Sequence, residues 1–415
     1  LAPERRMLGV KKLTGEARVM RILMTGGGSG GHITPILAVA HEVKRLAPGA
    51  EVIYIGQKGD AFADIVAEHA IIDSTYTVQA GKFRRYHGEG LHQLLDIQTL
   101  LLNIRDAFRV IAGLWQCFWL LGKVKPAVVF CKGGFVGVPV GLAAALRRIP
   151  YLTHDSDAIP GLANRVIGRW AAKHAVALPI EGYPYPAGKT VNVGVPVSHH
   201  YEPVTPELQA QYRTQLGLER YDQVLLVTGG GLGSQRINTA LLVIAPALLS
   251  AFPRLCIIQT TGTKHEAEVS RAYTQALATD QRSRVIVRDY LNDLYKYTGV
   301  ADVIVARAGA TAIAEFAGQG KACIIIPSRV LAGGHQLKNA KAFADAGAVI
   351  VVDEVELGEN PEVLKREVES LLQQPAKRSE LGTHIAAFAR PHAAEDIAEL
   401  LLGLGRGGED GVRKK

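Results

Sequence analysis

A histidine closes the most distinctive stretch of the chain, Thr25-Gly26-Gly27-Gly28-Ser29-Gly30-Gly31-His32. The apolar run Ile22-Leu23-Met24 precedes it, and a helical pattern from Ile33 to Ala40 follows. Strand, glycine turn and helix together aim backbone N–H groups and a helix N-terminus at an anion. Thr25, Gly28, Ser29, Gly30 and Gly31 are therefore expected to cradle a diphosphate. The helix dipole disfavours an imidazolium at its start, so a neutral His32 suits the removal of a proton from a hydroxyl. Capping or packing is the plainer role for the same ring.

Other residues extend the chemistry. A second glycine loop, Thr228-Gly229-Gly230-Gly231-Leu232-Gly233-Ser234, follows the apolar pair Leu226-Val227. Ala308-Gly309-Ala310-Thr311-Ala312 follows the run Val303–Ala306 and opens another helix, which could stabilise a departing anion without a metal. Glu315 lies one turn further on, where a carboxylate can accept from both hydroxyls of a ribose. Gln336 and Asn339 are three residues apart and share a helix face. Asp155-Ser156-Asp157 spells D-x-D, a pair that could hold Mg²⁺ or Mn²⁺ through oxygen. The letters Gly26-x-Gly28-x-x-Gly31 also satisfy a dinucleotide fingerprint, which requires an acid at the end of the next strand. That strand ends Tyr54-Ile55-Gly56-Gln57, without one.

Positioning these groups takes alternating strands and helices. In the first half, strands are expected at Arg21–Thr25, Glu51–Ile55, Ile71–Ser74, Ala127–Cys131, Tyr151–Thr153, Ala175–Ala177 and Thr190–Val193. In the second they are expected at Gln223–Thr228, Leu255–Thr260, Arg284–Val287, Val303–Ala306, Ala322–Ile326 and Val349–Val352. Alternation of this kind implies parallel sheets covered by helices on both faces. The fold class is α/β, with two Rossmann-like doubly wound domains facing a central cleft. The expected division is a lead over 1–19, a first domain over 20–198, a proline-rich linker over 199–206 and a second domain over 207–389. A helix over 390–405 could pack back on the first domain, and 406–415 reads as a disordered tail.

The net charge of +8 is uneven: residues 1–200 hold 23 Lys and Arg against 14 Asp and Glu, and so favour an anionic partner. The four cysteines lie scattered in apolar runs, as reduced core residues do. The basic lead lacks the apolar segment of a secretory signal. No run reaches the roughly 18 apolar residues of a spanning helix. Lys82-Phe83-Arg84-Arg85-Tyr86 and the segment Phe108–Leu121, with Trp115, Phe118 and Trp119, place aromatic groups beside cations, which suits an anionic membrane surface. A buried helix with charged flanks explains Trp115 and Trp119 equally well.

Gly26-Gly27-Gly28-Ser29-Gly30-Gly31-His32-Ile33-Thr34-Pro35 resembles the first glycine loop of the MurG family, within glycosyltransferase family 28. The likeness continues through Gly133-Gly134-Phe135-Val136-Gly137, His154–Asn164, Val193-Gly194-Val195-Pro196-Val197, the second glycine loop, Arg307–Glu315 and His335–Ala340. The resemblance implies a GT-B fold and inverting transfer of N-acetylglucosamine from UDP-N-acetylglucosamine. The implied acceptor is the muramyl 4-hydroxyl of the undecaprenyl-linked peptide of peptidoglycan synthesis (lipid I). It further implies that Glu315 binds ribose, that Gln336 and Asn339 read the sugar, and that Leu291 lies in the turn that reads uracil. Ser198, Gly231, Ala310, Thr311 and Ala312 fall at donor positions, and His154, Asp157 and Asn164 at cleft and acceptor positions. His32 is the preferred base and Asp155 its rival. His154 and Asp155 could otherwise orient the attacking hydroxyl or support His32.

No cofactor, metal or nucleic acid is implied. The implied location is the cytoplasmic face of the bacterial cell membrane, peripherally, with other cell-wall and division proteins as partners. Three stretches depart from the family pattern: Gly231-Leu232 replaces Ser-Gln, Asp155 and Asp157 replace Glu and Asn, and Ser198 replaces a basic residue. A related transferase for another lipid acceptor and a non-catalytic binding protein of cell-wall assembly are the alternatives.

Overall fold

Runs of β-branched and aliphatic residues, buried on both faces, become the central strands of two parallel sheets. The computed structural model describes residues 19–28, 30–60, 66–82, 97–231, 233–262, 264–329 and 334–412. Most of the expected lead, together with Ser29, Phe83–Tyr86 and Leu232, lies outside the described residues. The strands are β1 Arg21–Thr25, β2 Glu51–Gln57, β3 Ser74–Val78, β4 Val128–Cys131, β5 Tyr151–Asp155, β6 Lys173–Val176 and β7 Thr190–Asn192. They continue with β8 Gln223–Thr228, β9 Leu255–Thr260, β10 Val285–Arg288, β11 Val303–Ala306, β12 Cys323–Ile325 and β13 Ile350–Val351.

The first sheet runs β3-β2-β1-β4-β5-β6-β7 and the second β10-β9-β8-β11-β12-β13. Each reverses its strand order once, between β1 and β4 and between β8 and β11. Sheets of this kind leave a crevice beyond the strand C-termini at that reversal. The four loops following those four strands are the ones that carry the glycine and helix-start motifs.

Layers of helix cover both sheets. The helix Gly30–Leu46 contributes Ile33, Ile36, Val39 and Val43 to one core of the first sheet. The C-terminal helix Ala393–Val412 follows the second domain in sequence yet buries Ile397, Ala398 and Leu401 in that same core. It ties the end of the chain to the first sheet.

Three expectations are corrected. The third strand spans Ser74–Val78, beyond the apolar pair Ile71-Ile72, because an edge strand needs only one buried face and reads as polar. The terminal helix continues to Val412, through residues expected to be a tail. Once its first turns are packed, each further residue adds one hydrogen bond without a new nucleus. Pro206, expected in the linker, is the first residue of the helix Pro206–Leu216, where a missing N–H costs nothing and Thr205 caps the end.

Candidate active site

Close approach of backbone to backbone builds the floor of the first crevice. Gly28 has φ +84°, and a Cβ there would meet the Phe135 ring at 2.7 Å. Gly134, φ +76°, lies so near Gly27 that a Cβ would stand 2.6 Å from its carbonyl oxygen. The loops after β1 and β4 can therefore touch only as glycine. Tyr54 braces the first of them, its hydroxyl donating to the Gly26 carbonyl at 2.5 Å. Thr25 is buried, its hydroxyl bonded to the Ile55 carbonyl at 2.9 Å, so it supports the loop from beneath.

The second strand ends without an acid, yet one returns to the loop. Asp60 Oδ2 accepts the Gly28 N–H at 3.1 Å. A short turn through Gly59, φ +78°, brings it there. A carboxylate thus occupies one of the donors expected to face a diphosphate.

His32 sits half-buried in the first turn of its helix, its Nε2 close to Gly133. Its pKa is lowered to about 4 by burial and by Lys132, with a smaller push from His335, against the opposing pull of Asp157. Lys132 is only 3 % exposed and donates to Ser156 Oγ at 2.9 Å. Burial lowers its own pKa to about 8, which Asp157 and Asp155 oppose. Sequence reasoning passed over Lys132, although a cation between a buried strand and Gly-Gly was the available signal.

Asp155 is enclosed. Its Oδ1 accepts from the Gly161 N–H and Asn164 Nδ2, both at 3.0 Å, and its Oδ2 from the Tyr185 hydroxyl at 2.7 Å. Burial raises its pKa against the pull of those donors and of Lys132. Asn164 also donates to the His154 carbonyl at 2.8 Å. His154 was expected in the cleft, but its ring is fully buried, with Nε2 against the Gly194 carbonyl at 2.9 Å and Phe130 alongside. Strand alternation explains this, since neighbours on β5 face opposite sides of the sheet. The two carboxylates of the D-x-D serve different partners: Asp157 Oδ1 accepts from Asn339 of the second domain at 2.8 Å.

Across the crevice, the helix Ala310–Gln319 points its N-terminus back at the first loop. Thr311 Oγ1 donates to the Gly31 carbonyl at 3.2 Å. Ala310 and Ala312 flank it, half-buried. Asn339, on the helix His335–Asp345, accepts the Ala158 N–H at 3.0 Å and donates to the Ala308 carbonyl at 3.2 Å. Gln336, on the same face, accepts the Ser328 N–H at 2.9 Å. Glu315 is buried and carries a pKa raised to about 8 by that burial, although the Tyr201 hydroxyl donates to it. Tyr201 was passed over in sequence because it lies in a stretch that reads as linker. Leu291 is buried among the aliphatic residues behind β11, and Tyr290 beside it is exposed near Glu315.

The second glycine loop follows β8 at the reversal of its own sheet. Gly231 is exposed, and the Ser198 hydroxyl accepts the His200 N–H at 3.4 Å while its carbonyl accepts the Tyr201 N–H at 3.0 Å. Arg307 anchors the loop's far end through Ser234 Oγ at 2.6 Å and a buried pair with Glu354. His32, Thr311, Asn339 and Asp157 are thus brought to one crevice, while His154 and Thr25 lie behind its wall.

Two family models match in order: the glycosyltransferase family 28 N-terminal domain over residues 22–176 and its C-terminal domain over 224–400. A protein of Desulfitobacterium hafniense (strain Y51) named UDP-N-acetylglucosamine--N-acetylmuramyl-(pentapeptide) pyrophosphoryl-undecaprenol N-acetylglucosamine transferase is 33% identical over 92% of this chain and 99% of its own length. A Moorella thermoacetica protein of the same name is 32% identical over 92% and 98%. Among solved structures, Acinetobacter baumannii MurG superposes with a TM-score of 0.65 at 23% identity, covering 92% of this chain and 99% of that one. The UDP-GlcNAc 2-epimerase from Neisseria meningitidis bound to UDP-GlcNAc gives 0.60 at 13% identity, covering 92% and 100%. Both sheets, their loops and nearly the whole chain fall within these matches, and the protein belongs to glycosyltransferase family 28.

Proposed function

We propose that this transferase moves N-acetylglucosamine from UDP-N-acetylglucosamine to the undecaprenyl-linked muramyl pentapeptide, as the names of its relatives state for them, and that the muramyl 4-hydroxyl is the attacking group. The observation that carries this reading is the meeting of the two strand-order reversals at Thr311 and Gly31. It sets two helix N-termini toward one crevice, with the imidazole of His32 between them.

In this reading the acceptor diphosphate lies on Gly28, Ser29, Gly30 and Gly31, displacing Asp60. The muramyl hydroxyl oxygen attacks the anomeric carbon while His32 takes its proton. The bond from that carbon to the diphosphate oxygen breaks, configuration inverts, and UDP leaves with the electron pair. The start of the helix Ala310–Gln319 and the loop at Gly231 stabilise the added charge. Asp155 acts as a positioning residue, because three donors already hold its oxygens. Glu315, freed from Tyr201, binds ribose, and the turn at Leu291 receives uracil. Asn339, freed from Asp157 and Ala158, reads the sugar together with Gln336; Asn164 and His154 hold the wall behind, and Ser198 lies at the rim.

Membrane docking belongs to the same reading. The helix Ile97–Val124 exposes Leu101, Ile104, Phe108, Ile111, Trp115 and Trp119 along one face. Trp115 is 60% and Trp119 68% exposed, so neither is a core residue. Lys123 and Lys125 stand exposed at its end. Among the described residues, no helix is long and apolar enough to cross a membrane. A stripe of this kind fits the headgroup boundary of the cytoplasmic leaflet.

Release of UDP by the full chain, with a lipid I analogue and with or without EDTA, tests the assignment. Acceptor-dependent release that survives EDTA is expected. Failure to release UDP with the acceptor present would overturn it.

A further inference from the structure

A concave pocket of about 430 Å³ opens beside β6 in the first domain. That volume lies within the range of small-ligand sites, roughly 300–1,000 Å³. One wall is the helix Leu162–Ile167 with its continuation Gly168–Trp170, and the other is the crossover from Pro184 to Lys189. We propose that this pocket is a second anion site, built to take a phosphoryl group.

Charge is the first reason. Arg165, Arg169 and Lys189 all line the pocket, and no carboxylate does. The two arginines are four residues apart and share a side. Among the described residues none of the three cations makes an ion pair, and Lys189 spends its ammonium on the Ala171 carbonyl at 3.1 Å. Two guanidinium forks facing an ammonium match a tetrahedral anion with several oxygens.

The second reason is a buried donor or acceptor left unused. His174, on β6, lines the same pocket and is 0% exposed. Its Nδ1 meets Thr153 Oγ1 at 2.8 Å, and its Nε2 has no partner. When Thr153 donates to Nδ1, the Nε2 carries the proton and is left as a buried donor without a partner in a ring that lines the pocket. A phosphoryl oxygen, which only accepts, satisfies it. Burial and the nearby Lys189 keep the ring neutral, lowering its pKa to about 4, and the negative charge of a bound anion would offset the charge of Lys189.

Tyr185 separates this pocket from the crevice. Its ring lies flat on His174 at 4.0 Å, and its hydroxyl holds Asp155. Occupancy of the pocket is therefore one side chain away from a residue of the proposed active site.

The test follows the ring nitrogens of His174 by ¹⁵N NMR in the full chain as inorganic phosphate is added, with UDP present throughout to occupy the crevice. The expected result is a saturable shift at Nε2, with binding about tenfold weaker in the Arg165→Gln/Arg169→Gln variant. A signal that does not move, or that saturates equally in the variant, would overturn the proposal. Should the double variant fail to fold, Lys189→Gln on the exposed crossover gives the same comparison. Two further arms separate the sources of the phosphoryl group. Variant-sensitive binding to phosphatidylglycerol vesicles, absent with phosphatidylcholine, assigns a lipid headgroup. Variant-sensitive binding of glycerol phosphate alone assigns a soluble ester.

Discussion

Two cationic or ionisable neighbours, Lys132 and His335, face the His32 ring in a partly enclosed site, and only Asp157 pulls the other way. The imidazole is accordingly neutral at pH 7, the form that accepts a proton. Replacing a general base typically costs about 10²–10⁴-fold, so His32→Ala should lower kcat by that order while leaving UDP binding intact. The acid limb of the kcat/KM profile is expected near pH 4 rather than at the ordinary imidazole value of 6.5. Lys132→Met removes a positive neighbour and keeps the packing volume. Its acid limb should therefore move to higher pH, toward 6.5, because protonation of His32 is no longer opposed by that charge. A limb that stays in place in a folded Lys132→Met variant would detach the limb from His32. Asp155 responds to Lys132 in the same direction, since the cation lowers its pKa and its removal raises it. The size of the kcat loss in His32→Ala is therefore what separates the two candidates.

At the level of elements, legibility followed burial. The strands β1, β8, β9 and β11 begin and end where the apolar runs do, because each is central and enclosed on both faces. The edge strand β3, reading Ser-Thr-Tyr-Thr-Val, has no such run and was displaced toward Ile71. Glycine loops were legible because their function is local: strand, turn and helix adjoin in sequence. Asp60, Tyr185 and Tyr201 were not, since each reaches the site by chain return through segments whose composition reads only as turn or linker. The exposed face of the helix Ile97–Val124 was half legible. Its aromatic content stood out, but whether Trp115 and Trp119 face inward depends on how the helix packs against its neighbour Gly137–Leu146. They face outward, so substitution should leave the fold alone. Surface changes usually stay within about 0.5 kcal/mol. Trp115→Glu/Trp119→Glu should keep its melting temperature and its UDP affinity while losing most co-sedimentation with anionic vesicles. Unchanged co-sedimentation would remove this face from the membrane.

Across the whole molecule, aromatic rings bridge the two domains. His41 of the first domain stacks on His199 at 4.6 Å, His199 meets His200 at 4.0 Å, and His200 stacks on Tyr295 of the second domain at 4.6 Å. Lys296 lies over the Tyr295 ring, and Glu42 bonds His41 Nδ1 at 3.2 Å. Burial, His199 and His41 lower the pKa of His200, while Asp293 and Glu202 oppose them. A histidine whose pKa is lowered in the stack stabilises the stack above the ordinary imidazole value. That contribution fades as pH falls from about 6.5 toward the lowered value, because the opened form binds the proton more readily. Acid should therefore favour separation of the two sheets. Separation would break the hydrogen bonds that join the crevice, Thr311 to Gly31 and Asn339 to Asp157. Small-angle scattering of the ligand-free chain at pH 8 and pH 5.5 measures this directly, with a larger radius of gyration expected in acid. His200→Phe keeps a ring in the stack and removes its charge, so its radius should hardly change with pH. Equal expansion of the variant and the parent in acid would assign the opening to other groups and leave the stacked rings a packing role only.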